Sequence, residues 1–168
     1  MLKKIQQDSH DKFEELGYPS KKLESWKFSP SKHLRKYNLN NLDQSNFSIE
    51  QYNDKYTLCF INGELAKESL NNFIYKDVIT ISDIDELDDS SICSTSPNFE
   101  QEAFFHLGIS SIKSGKYFEF HKGVKFEKPI HILNIYIKSE KDLRISSFNI
   151  FKLNEGNNIS IIEKDVNK

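Results

Sequence analysis

The side chains of this 168-residue chain that could do chemistry are five histidines, two cysteines and several groups of carboxylates. The histidines are His10, His33, His106, His121 and His131. Two imidazoles face one metal ion when they stand four apart on a helix or two apart on a strand. No pair here has either spacing. A site built on His121 and His131 would need Glu119 or Glu127 as a third ligand, and surface or partly buried structural histidines are the simpler reading. Cys59 lies in an apolar run and reads as a small core hydrophobe. Cys93 lies among serines, with no basic residue or helix start beside it to lower a thiol pKa. Neither belongs to a CxxC pair, so neither a disulfide framework nor a zinc knuckle is expected.

The remaining clusters read the same way. Asp83, Asp85, Glu86, Asp88 and Asp89 lack the spacing and central glycine of a calcium loop, which leaves a solvated acidic loop. Glu119, Glu127, Glu155 and Glu163 show no pairing of the kind a glycoside hydrolase needs. Lys21, Lys22 and Lys27 surround Trp26 and Phe28 in a small basic–aromatic cluster, where a lone Trp beside an apolar helix face is more often core than a base-stacking platform. No glycine-rich phosphate loop, nucleophile elbow or HExxH pattern occurs. No catalytic, cofactor-binding or metal-binding residue is therefore assigned, and a non-enzyme is expected.

Composition supports a globular chain without a strong field. Hydrophobic residues make up 37% and charged residues 29%, and 13 Phe with 7 Tyr supply bulky core material from few positions. The formal net charge of −2 offers nothing to attract nucleic acid or an anionic membrane. No apolar run approaches the roughly 20 residues of a membrane span, and the first residues turn polar at once. A soluble, cytoplasmic protein is expected.

Several elements must position these residues. Leu2, Ile5, Phe13 and Leu16 predict a first helix, ended by a left-handed Gly17 and by Pro19. Ser20 is placed to cap a short second helix carrying Leu23, Trp26 and Lys27. Residues 38–46 read as loop. Residues 56–61 read as a strand followed by an Asn62-Gly63 hairpin turn, and 78–82 as another strand. The acidic stretch 83–91 reads as a loop or one helical turn, with Ile84 and Leu87 as weak anchors. Ser96 and Pro97 open a further helix, with Ala103, Phe104, Leu107 and Ser111 on one face and Phe105 and Ile109 flanking it. Gly108 weakens this helix and Gly115 ends it.

From residue 116 onward short strands alternate with turn residues, at 117–120, 130–137, 144–153 and 159–163. The strands at 130–137 and 144–153 are apolar on both faces and must be covered on both. The strand at 159–163 is followed by no cap, which predicts further solenoid rungs beyond Lys168 and self-association through uncovered strands. The fold class expected is α+β. Residues 1–115 form a helical and mixed region, and 116–168 begin a right-handed parallel β-helix.

Four stretches carry a family resemblance. They are Glu24-Ser25-Trp26-Lys27-Phe28, then Phe60-Ile61-Asn62-Gly63. The third runs from Glu102-Ala103-Phe104-Phe105-His106-Leu107 through Gly115-Lys116-Tyr117-Phe118-Glu119-Phe120-His121-Lys122-Gly123-Val124 to Lys128-Pro129-Ile130-His131-Ile132. The fourth is Arg144 with Glu155-Gly156 and Ile161-Ile162-Glu163. In this order they resemble the SufB/SufD family of iron–sulfur cluster assembly proteins, its SufD branch most closely. Gly108 departs from the polar residue usual at that point. The resemblance implies an N-terminal helical region leading into a parallel β-helix, and a scaffold acting with SufB-like and SufC-like partners. An iron–sulfur cluster would belong to the full complex. The family's cluster-related Cys and His positions and SufC-binding helices have no counterparts among these residues, so no site residue carries over. Two rivals stand beside it: a fragment of a β-helix carbohydrate-active enzyme, and a self-contained β-rich ligand-binding module.

Overall fold

The computed structural model describes residues 2–28, 31, 40–41, 47–87, 102–138 and 143–168. Helix α1 spans Leu2–Leu16. It buries Phe13 and half-buries Ile5 and Leu16. Gly17, at φ 65°, donates its N–H to the Phe13 carbonyl at 2.7 Å, the left-handed end expected from the sequence. The expected second helix is reduced to a single 3-10 turn, Glu24–Trp26, with no side-chain cap. Ser20 does not cap it. Its hydroxyl accepts the Lys22 N–H at 3.3 Å and its carbonyl accepts the Leu23 N–H at 3.0 Å, closing a turn around itself. Leu23 is consequently 48% exposed.

Two residues of the expected Asn-rich loop, Asn40–Asn41, form the short strand β1. Strand β2 (Thr57–Ile61) turns through Asn62 and Gly63 into β3 (Glu64–Leu65). Both turn residues have positive φ, 49° and 89°, as a type I′ hairpin requires. A short helix α2 (Lys67–Asn72), absent from the sequence reading, follows. Strand β4 (Ile79–Asp83) leads into one 3-10 turn, Ile84–Glu86, anchored by buried Ile84.

Helix α3 spans Ala103–Ser110 and follows an extended Glu102. Ser96, Pro97 and Cys93 lie outside the described residues. Two expectations for α3 are corrected. Its buried side chains are Ala103 and Ile109, so Ile109 belongs to the inward face and not to its flank. The helix also ends at Ser110, before Gly115, because the Ser111 hydroxyl donates back to the Leu107 carbonyl at 2.7 Å. Gly115 serves another purpose. A Cβ there would overlap the Phe148 carbonyl oxygen, so only glycine lets the two backbones approach.

Strands β5 (Lys116–Phe120), β6 (Ile130–Tyr136), β7 (Leu143–Arg144), β8 (Ile150–Lys152) and β9 (Ile161–Asn167) complete the described elements. The single strand expected over 144–153 is therefore two. The break falls at Ser146-Ser147, and the Asn149 side chain accepts the Lys116 N–H at 3.0 Å. The last strand runs farther than expected, to Asn167.

The strands form sheets ordered β3-β2-β6-β9 and β4-β5-β8, and β1 pairs with β7. Strands β5 and β8, β6 and β9, β2 and β6, and β1 and β7 pair in parallel, while β2–β3 and β4–β5 are antiparallel. Strands on either side of residue 115 thus pair with one another. The architecture is mixed α+β. Leu58, Phe60, Phe73, Phe118, Phe120 and Ile130 share one core cluster drawn from both larger sheets. The opposite face of β2 and β6 buries Cys59, Leu133 and Ile135 against Ile49 and Ala66. Strand β6 is covered on both faces, as its doubly apolar pattern requires. Ile109 and Ile112 pack with Tyr117 and Ile150, and α1 packs along α3.

Candidate functional site

The pairing registers contain a repeat that gives the β region its distinctive surface. Tyr117 lies opposite Ile150, Phe118 opposite Phe151 and Glu119 opposite Lys152, each 33 residues on. Ser114 meets Ser147 and Lys125 meets Asn158 at the same separation. Between β6 and β9 the separation is 31, from Ile130–Ile161 to Tyr136–Asn167. One pass of the chain is thus laid in parallel on the previous one.

Side chains in this stack match their partners. Phe118 and Phe151 stack with centroids 4.8 Å apart and planes 6° apart. Glu119 meets Lys152 at 3.0 Å, and Lys122 meets Glu155 at 2.6 Å. Charge reverses from one pass to the next, which turns a like-charge clash into attraction. Gly123 and Gly156, at φ 75° and 79°, occupy equivalent turns, and the Gly123 N–H donates to the Glu155 carbonyl at 3.0 Å. The Asn157 amide donates to the His121 carbonyl at 2.7 Å, and the Asn154 amide to the Phe120 carbonyl at 2.8 Å. The two turns are therefore sewn together by backbone and amide contacts.

This stack exposes a template. Strands β8 and β9 stand at the ends of their sheets among the described residues. Leu153, Ile161 and Ile162 are exposed by 58%, 38% and 49%. An edge strand with unpaired backbone groups and exposed apolar side chains is a ready partner for another strand. This edge is the candidate interaction site, and the sequence reading found it only as an uncovered strand. The repeat behind it was missed. Its signal was present in the spacing of Phe118 and Phe151, Gly123 and Gly156, with charges inverted between them.

The residues considered for chemistry do not converge. Cys59 is fully buried, and its Sγ lies 3.8 Å from the Tyr52 carbonyl. Burial pushes its thiol up, against a smaller opposing effect of the Ser69 hydroxyl. His121 is exposed in the turn after β5, with Nε2 3.3 Å from the Thr80 hydroxyl, and His131 is exposed on β6. His106 has both ring nitrogens buried without a hydrogen-bond partner. His10 is exposed on α1, and His33 lies outside the described residues. Among the described residues, no three His, Cys, Asp or Glu side chains gather as a metal-ligand group.

The carboxylates are dispersed over separate partners. Lys152 first, then the Asn154 amide, hold the Glu119 carboxyl below its ordinary value. Glu163 and Asp165 share the Asn134 amide, at 2.7 and 3.0 Å, and lie in the sheet that does not contain Glu119. Burial pushes the Tyr136 phenol up, with Asp165 and Glu163 adding to it. Glu127 is exposed, and Asp83 pairs with Lys116. Asp88 and Asp89 lie outside the described residues.

The basic–aromatic cluster divides in two. Trp26 packs on Phe104 of α3, centroids 4.9 Å apart, and Phe104 also meets Tyr18 at 6.0 Å. Trp26 is therefore an anchor joining the N-terminal segment to α3. Phe28 is 87% exposed, with the Lys27 ammonium 5.6 Å from its ring centre. Among the described residues, no helix is long and apolar enough to cross a membrane. Compared with known proteins, the chain matches no protein-family model and none of the curated proteins.

Proposed function

We propose that the chain acts as the N-terminal portion of a SufD-like scaffold of iron–sulfur cluster assembly, working with SufB-like and SufC-like partners and without a reaction of its own. The observation that carries this reading is the 33-residue parallel register, in which aromatic, glycine and charged positions stack on their counterparts. Parallel stacking of successive passes is what the start of a parallel β-helix calls for, and it supports this reading. In this reading the coil is right-handed, the hand that parallel crossovers favour.

The stretches that resemble the SufB/SufD family support the reading by meeting in space. Trp26 of the first packs on Phe104 of the third. The Gly63 carbonyl of the second accepts the Ser114 hydroxyl at 2.9 Å, just before the third resumes. In the third and fourth, Gly123 and Gly156 occupy stacked turns. Strands β8 and β9, at the ends of their two sheets among the described residues, are the surfaces on which such a scaffold would meet a partner. The test is removal of the gene from its source cell. Activity of iron–sulfur enzymes should fall, most strongly under iron limitation, and return with the wild-type gene. Unchanged activity under iron limitation would remove the proposal.

A further inference from the structure

Gly108 stands inside α3, where glycine is less stable than alanine. Its φ is not in the left-handed region, and among the described residues a Cβ built on it would meet nothing within 4 Å. No neighbour among the described residues therefore requires a glycine here. What the missing side chain leaves is space. Gly108 lines a cavity of about 350 Å³ between α3 and residues 145–148. The walls are largely aromatic and aliphatic, from Phe104, Phe105, Ile112 and Phe148. Ser146 and Ser147 are the polar residues of the lining, and the Ser146 hydroxyl shares a hydrogen bond with Ser111 at 2.9 Å.

This volume falls at the lower end of the range of ligand pockets, roughly 300–1,000 Å³, which are typically apolar with a few orienting polar groups. Phenylalanine walls favour flat partners, which they contact edge-on or by offset stacking. We propose that this cavity is a binding site for a small planar apolar molecule bearing one hydrogen-bonding group, the size of a one- or two-ring aromatic. The site is distinct from the β8–β9 edge and stands independently of the scaffold reading.

Indole, titrated into the isotopically labelled 168-residue chain and followed by amide chemical shifts, is the test. Saturable one-to-one shifts confined to residues 104–112, Tyr136 and residues 145–148 are expected. Gly108→Leu fills the notch and weakens this binding roughly tenfold or more, with the remaining amide spectrum unchanged. Should that variant fail to fold, Ser147→Leu narrows the cavity from its other wall and is expected to do the same. Shifts that do not saturate, or that scatter over the surface, would overturn the proposal. So would undiminished binding in the folded variants.

Discussion

Ser69 offers a sharp test of how the core sheet is completed. Strand β3 pairs with Phe60 and Ile61, so on that side the earlier part of β2 has no strand partner among the described residues. Ser69, on α2 and fully buried, fills the gap. Its hydroxyl accepts the Cys59 N–H at 2.7 Å and donates to the Thr57 carbonyl at 3.1 Å. Ser69→Ala removes one oxygen atom and leaves a buried N–H without its partner. Stranding a buried backbone group costs about 1–3 kcal/mol, and the better helix propensity of alanine returns about 0.5 kcal/mol. A net loss of about 0.5–2.5 kcal/mol corresponds to a fall in Tm of about 1–10 °C for a chain of this size. Urea unfolding should show a lower midpoint at unchanged slope, and the Cys59 amide should exchange faster. A Ser69→Ala variant within about 0.5 kcal/mol of wild type, with an equally protected Cys59 amide, would refute the argument.

Three further outcomes follow from the same geometry. Gly115→Ala forces a methyl group into the Phe148 carbonyl, so it should cost at least about 2 kcal/mol in urea unfolding; a neutral effect would contradict the close approach of the two passes. Glu119 has its folded pKa held below the ordinary carboxyl value, so its contribution is present above that ordinary value and is lost as pH falls through the folded one. Glu119→Gln should lower stability at pH 7 and flatten the acid limb of the stability curve, and a limb unchanged from wild type would remove the role of Glu119. Cys59, buried with its thiol pKa raised, should react with a disulfide reagent slowly in the native chain and rapidly in denaturant; equal rates would show that its pocket opens.

Local signals were the most legible in the sequence. Gly17 and the Asn62-Gly63 turn require backbone angles that few other residues adopt, and both were placed correctly. The doubly apolar pattern of residues 130–137 predicted a strand buried on both faces, and β6 has Ile130 and Ile132 in one core cluster with Leu133 and Ile135 in another. Ser20 misled because a hydroxyl that caps a helix closes an isolated turn equally well. Helix α2 was missed because six residues, Lys67–Asn72, are too few to display a helical period. The break between β7 and β8 was missed because apolar residues continue through it, while two serines and an asparagine redirect the chain.

The candidate site was legible only in part. A strand near residues 159–163 could be read from Ile159, Ile161 and Ile162. The stacking that creates the edge is a relation between positions 33 apart, and it became visible once Phe118 lay on Phe151 and Gly123 beside Gly156. Charge inversion between Glu119 and Lys152 hides such a repeat from simple self-similarity while stabilising it in space. The cavity at Gly108 was foreshadowed only as a weak point in a helix, since empty space has no sequence signature of its own.

The measurement that bears most directly on the central claim is isolation of the native protein from its source cell. An affinity tag is introduced at the chromosomal gene, and the co-purifying proteins are identified by mass spectrometry. The scaffold reading predicts SufB-like and SufC-like proteins in stoichiometric amounts, retained through size-exclusion chromatography. A protein that purifies without either of them would contradict it.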